Sequence, residues 1–102
     1  MIVVQGWVRL HRDDVQALRD AAFALAAATR QETGNLAYAF AEDVNEPGLF
    51  HIVERWTSEE AVAAHMLSAA LAEFMPKLAC LRDVKLRIAR YDAPEERVLM
   101  EV

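Results

Sequence analysis

Apolar and polar positions along the chain follow two periods, and the switches between them mark out the elements. Residues 2–11, IVVQGWVRLH, are rich in valine with Trp7 and alternate imperfectly, which predicts a strand with both faces partly covered. Val15, Leu18, Ala22, Leu25 and Thr29 then recur at helical spacing. Asp13 is placed to cap that helix, and Gly34 to take the left-handed position after it. Six alanines between 21 and 28 let the helix lie close to whatever is beneath it. The period returns to two at NLAYAFAED (35–43), with Leu36, Tyr38 and Phe40 on one face and Ala37, Ala39 and Ala41 on the other. Pro47 and Gly48 supply turn chemistry, so LFHIVERWT (49–57) completes a β-hairpin.

Thr57, with Glu60 three residues on, reads as a capping box opening a helical region from about 58 to 81. Leu67, Leu71, Phe74, Leu78 and Leu81 form its apolar stripe, with a bend expected near Ser68 and a kink or restart just before Pro76. DVKLRIARYD (83–92) sets Val84, Leu86 and Ile88 against Lys85 and Arg87 and is the fourth strand. The order β-α-β-β-α-β predicts an α+β domain over residues 1–92: a ferredoxin-like split β-α-β with a four-stranded antiparallel sheet and its helices on one face. Residues 93–102 form a C-terminal extension carrying Val98, Leu99, Met100 and Val102, expected to dock on its own sheet or on a neighbouring subunit. Because the strands are apolar on both sides, a second sheet packed face to face is the economical cover, which predicts a homodimer.

Composition narrows the function. The chain has 102 residues, 55% of them hydrophobic, enough for one core with apolar surface left for a partner. The formal net charge is −5, and no two Lys or Arg residues are adjacent. That disfavours nucleic acid and an anionic membrane as partners. The longest apolar stretch, AAFALAAAT (21–29), is far short of a membrane span, and the opening residues lack the basic region of a secretory signal. Cys80 is a lone cysteine, read as a packed thiol; a reducing cytoplasm is the expected location. His11, His51 and His65 with Cys80 lack metal-ligand spacing, so no metal is expected.

The candidate chemistry sits in ERWTSEEAVAAH (54–65). Glu54 and Trp56 share a strand face with Phe50 and Ile52. A helix folding back from the strand end would bring His65, beside Val62 and Met66, to the same place. A buried Glu54 needs a partner, for which His65, Arg55 of a neighbouring subunit and a backbone amide are the choices. His65 is either a base or a helix histidine bonded to a strand carbonyl or to Glu54. Trp56 and Tyr38 either pack in the core or wall a pocket, and Met66 and Phe74 are cavity lining or core.

Taken together, ETGNLAYAFAEDVNEPGLFHIVERWTSEEAVAAH resembles the central signature of the antibiotic biosynthesis monooxygenase domain, the group that includes small quinol monooxygenases. The pattern rests on Glu32, Gly34, Tyr38, Pro47, Glu54, Trp56 and His65. The resemblance implies a ferredoxin-like dimer of the α/β-barrel type, with a pocket between helices and sheet. It also implies oxidation of a small phenolic, quinol or polycyclic aromatic substrate by molecular oxygen, with no flavin, haem or metal cofactor. In that reading His65 is the base, Glu54 its partner, and Trp56, Tyr38, Met66 and Phe74 bind the substrate. Family members often carry a second His followed by Phe where this chain has Ala70 and Leu71. Strand one has no Asn, and His65 and Met75 stand where haem-degrading relatives place a Trp and an axial His, so haem degradation is disfavoured. A non-catalytic dimeric module binding a hydrophobic small molecule, or an isomerase, are the alternatives.

Overall fold

The computed structural model describes residues 1–102. Strand β1 (Ile2–Arg9) leads through a short 3-10 turn into helix α1 (Val15–Thr29). β2 (Asn35–Glu42) and β3 (Leu49–Trp56) form the hairpin, helices α2 (Glu59–Met66) and α3 (Ala69–Ala79) follow, and β4 (Lys85–Asp92) closes the sheet. The strands lie in the order β2-β3-β1-β4, and every neighbouring pair is antiparallel. Each crossover therefore skips one strand, which is the split β-α-β of a ferredoxin-like fold. Ile2, Val4 and Val8 point from the central strand into a core shared with Leu18, Leu25, Phe50, Trp56, Phe74 and Leu78. Small residues at Ala21, Ala28 and Ala70 line the seam where α1 lies against α3.

Several local expectations are corrected. Asp13 does not cap α1. The backbone N–H of Asp13 donates to His11 Nδ1 at 3.1 Å, which starts the 3-10 turn Arg12–Asp14. Asp14 then occupies the cap position, but its buried carboxylate accepts from the backbone N–H of Arg82, 3.1 Å away, on the α3–β4 connection. The cap of α2 is Ser58, whose Oγ accepts from Ala61 N–H at 3.2 Å. Thr57 is committed instead to the end of the hairpin, its N–H donating to the Gly34 carbonyl at 2.9 Å, so the Thr57–Glu60 box does not form. The bend near Ser68 is a full break. Ser68 caps a new helix by accepting from Leu71 N–H, and Leu67 falls in the gap, 88% exposed, outside the apolar stripe. With the restart made there, α3 passes through Pro76 without one, and Cys80 N–H donates to the Pro76 carbonyl. Leu36 does not share a face with Tyr38 and Phe40. A register shift between Asn35 and Ala37 turns it out to solvent.

The face of the sheet away from the helices is uncovered. It carries Trp7, with the Arg9 guanidinium 5.1 Å from its ring centre, and exposed Val53 and Tyr91. The extension after β4 is held by Ala93 N–H to the Met1 carbonyl and by an Arg55–Glu96 ion pair at 2.8 Å. Val98, Leu99, Met100 and Val102 are all exposed, so within one chain they cover nothing.

Candidate functional site

β3 builds the floor of the site by simple alternation. Positions 50, 52, 54 and 56 all point toward the helices and are buried. Across the ladder, Tyr38 on β2 and Val4 on β1 stand opposite Glu54. From above, α2 lowers His65 onto this row. The start of that helix is anchored by Arg90 of β4, whose guanidinium grips the Glu59 carboxylate at 2.9 Å and holds it below the ordinary carboxylate range.

Between sheet and helices lies a cavity of about 380 Å³, within the range of small-molecule sites. Its inner end is closed by buried Val4, Tyr38, Glu54 and His65, and its outer end by half-exposed or exposed Met66, Met75, Leu86 and Ile88. The mouth therefore opens between the edge strand β4 and the two short helices. Glu54 and His65 are the only non-hydrophobic lining residues besides the Tyr38 phenol, so polarity is gathered at the blind end of an apolar slot.

The polar contacts there are specific. Trp56 Nε1–H donates to Glu54 Oε1 at 2.9 Å, so within the chain Glu54 takes its partner from the neighbouring indole and not from His65 or a backbone amide. His65 Nδ1 lies 3.0 Å from Glu32 Oε1, a partner that replaces both the strand carbonyl and Glu54. The imidazole is flanked by Trp56, ring centres 4.8 Å apart, and by Tyr38 at 5.5 Å. The aromatic row continues from Tyr38 through Phe40 to Phe74, each step 5.9 Å.

Desolvation pushes the Glu54 carboxyl above its ordinary range, and the nearby Glu32 adds to this, while the Trp56 N–H and His65 pull it down. Tyr38 is raised as well, first by burial and then by the two carboxylates, which keeps its phenol protonated and able to donate a hydrogen bond. The chemistry available at the blind end is thus an imidazole with a carboxylate behind it, a phenol, and a carboxyl that holds its proton more tightly than one in water. No three His, Cys, Asp or Glu side chains cluster closely enough to hold a metal ion.

Of the residues singled out in the sequence, Tyr38, Glu54, His65, Met66 and Phe74 all line the cavity. Trp56 does not. Its side chain is wholly buried, 0% exposed, and backs Glu54 and His65 from behind the wall. The sequence placed Glu32 in the signature without a partner; its side chain reaches His65 from the turn between α1 and β2.

Comparison with known proteins agrees with this architecture. Residues 1–77 match the family model for antibiotic biosynthesis monooxygenase. The chain is 28% identical over 95 residues to YcnE of Bacillus subtilis, provisionally named a monooxygenase, covering 93% of this chain and all of that one. A solved structure from Deinococcus radiodurans, provisionally named an antibiotic biosynthesis monooxygenase, is 31% identical and superposes with a TM-score of 0.92 over 99% of this chain and all of its own. A conserved Bacteroides thetaiotaomicron protein of unknown function is 26% identical, with a TM-score of 0.81 over 88% of this chain and 94% of its own. The match over three quarters of the sequence and the shared fold together establish that the chain belongs to the antibiotic biosynthesis monooxygenase family.

Proposed function

We propose that the protein is a cofactor-independent monooxygenase that oxidises a small phenolic, quinol or polycyclic aromatic substrate with molecular oxygen. The observation that carries this is the placement of His65, backed by Glu32, at the blind end of an apolar slot. A flat aromatic enters between β4 and the helices, ring surface against Phe40, Phe74 and the aliphatic walls, hydroxyl toward His65. His65 lines the cavity and meets Glu32 through Nδ1, which leaves Nε2 to take the hydroxyl proton. The resulting anion is electron-rich enough to pass an electron to oxygen held beside it in the apolar cavity. Carbon–oxygen bond formation follows, and one oxygen atom stays on the ring carbon as a carbonyl. The other leaves as water with the two hydrogens the substrate gives up. Tyr38 supplies a hydrogen bond to oxygen atoms that gain charge along the way. Trp56 acts through Glu54 and His65 by fixing both.

The working unit in this reading is a homodimer. The uncovered sheet face bearing Trp7, Val53 and Tyr91, and the exposed Val98, Leu99 and Met100, are the surfaces a second copy would bury. Sedimentation of the protein should give about twice the 11.5 kDa chain mass; a single-chain mass at working concentration would remove the dimer.

The test of activity is oxygen uptake by protein freed of metal and flavin, with a panel of reduced quinols and anthrols and autoxidation subtracted. Saturable uptake supports the oxygenase. A second reading, a module that binds an apolar small molecule without turning it over, rests on Ala70, which packs at the α1–α3 seam and contributes no second imidazole. Stoichiometric binding with no uptake across the panel would favour it.

A further inference from the structure

We infer that Glu32 is the positioning residue of the site: it holds His65 as the Nδ1–H tautomer, so that the bare Nε2 faces the cavity. The inference deepens the oxygenase reading and rests on it for its catalytic consequence, but the tautomer itself is a property of the protein alone.

Three observations carry it. A carboxylate can only accept a hydrogen bond, so the 3.0 Å contact between Glu32 Oε1 and His65 Nδ1 requires the proton on Nδ1. His65 is 3% exposed and in contact with the Trp56 and Tyr38 rings, so the imidazole has little room to turn and present another atom to Glu32. His65 lines the cavity, and since Nδ1 is the atom that meets Glu32, Nε2 is the ring nitrogen left for a ligand there.

The chain also commits backbone to this contact. Glu32 sits in the turn that follows α1, its N–H donating to the Thr29 carbonyl at 2.9 Å and its own carbonyl accepting from Asn35 N–H at 3.1 Å. Two residues on, Gly34 adopts φ +84°. A side chain there would put its Cβ 2.6 Å from Ala61 Cβ and 2.8 Å from Thr57 Oγ1. Glycine thus lets the turn press against the start of α2, and that approach brings Glu32 within bonding distance of His65. A solvated surface carboxylate would need none of this.

The consequence is chemical. Which ring nitrogen carries the proton is set by the hydrogen bond the other one makes. Neutral imidazole free in water favours the Nε2–H form, in which the cavity-facing nitrogen would donate a proton instead of accepting one. Glu32 reverses that preference. It also places a negative charge beside the imidazolium that forms once His65 has taken a proton from substrate.

The experiment is long-range 1H–15N correlation on protein labelled at histidine nitrogen, at a pH where His65 is neutral. Native protein should show Nδ1 protonated and Nε2 bare. Glu32→Ala should show mainly the Nε2–H form. If Glu32→Ala does not fold, Glu32→Gln keeps the shape but brings an amide that can donate to Nδ1, and should show a reduced Nδ1–H fraction. An unchanged Nδ1–H signal in the folded variants would overturn the inference, because a merely structural tie would leave the tautomer alone. Oxygen uptake on the same samples separates the two levels: kcat should fall on the order of tenfold or more with the tautomer. A flipped tautomer with unchanged turnover would uphold Glu32 as the positioning residue and count against His65 as the base.

Discussion

Replacing Gly34 by alanine perturbs the site without touching any group in it. The residue has φ +84°, and a non-glycine residue in the left-handed region costs roughly 1–2 kcal/mol. Its new Cβ would lie 2.6 Å from Ala61 Cβ and 2.8 Å from Thr57 Oγ1, closer than packed atoms tolerate. Relieving that overlap by moving the turn off α2 costs about 1–3 kcal/mol more, the usual range for overpacking. The expected loss is therefore about 2–5 kcal/mol, which lowers the melting temperature of a domain this size by on the order of 10 °C or more. Because the turn carries Glu32, the variant should also lose the fixed His65 tautomer in the fraction that remains folded. Gly48→Ala is the control. It has the same φ of +84° and a Cβ 2.8 Å from the Leu10 carbonyl oxygen, but it lies at the hairpin turn between β2 and β3. Urea unfolding should find both variants destabilised, and histidine nitrogen spectra should find only Gly34→Ala altered at His65. A Gly34→Ala variant within about 0.5 kcal/mol of the native protein would refute the close-approach argument. Equal changes at His65 in both variants would refute its link to the site.

Two further outcomes follow from the buried carboxyl. Glu54 titrates above its ordinary range when folded, chiefly through desolvation, so the folded state holds that proton more tightly than the unfolded chain. Its stability cost is absent below the unfolded pKa and grows as pH rises through the raised folded value. Glu54→Gln has no charge to bury, so its stability relative to the native protein should rise as pH climbs above about 4 in urea titrations; a difference that stays flat with pH would contradict the desolvation argument. Trp56→Phe removes the donor at 2.9 Å from Glu54 Oε1 and should cost about 1–3 kcal/mol by leaving a buried acceptor unpaired, read by the same titrations. A smaller loss would mean that cavity water satisfies Glu54 in place of the indole.

The strand faces were legible because a period of two leaves little choice. Once Phe50, Ile52, Glu54 and Trp56 are known to alternate with His51, Val53 and Arg55, their common face is fixed, and Tyr38 joins it through the hairpin register. Depth was not legible. Trp56 and Glu54 share the face, yet one lines the cavity and the other stands behind it, a distinction set by how α2 seats on the sheet. Helix starts were legible to within one residue: Thr57 and Ser58 offer the same hydroxyl chemistry, and the end of strand pairing decides which is free to cap. The Glu32–His65 pair spans 33 residues from a turn to a helix, where no periodicity operates. Glu32, Gly34 and His65 all stood in the signature, but as members of a pattern and not as a contact. The shift at Leu36 left no trace in the alternation of β2, since an extra residue in a run of alanines and aromatics looks like another step.

The most direct test of the account is the ratio of oxygen-uptake rates for native protein and His65→Ala, with the best quinol or anthrol of the panel and saturating substrate. His65 is predicted to supply the proton acceptor at the end of the slot, so the variant should lose on the order of a hundredfold or more in kcat while still binding the aromatic. Turnover within about twofold of the native rate would contradict the account, because the other acid–base group on the wall, Glu54, is tied to the Trp56 indole and would not be expected to replace the imidazole.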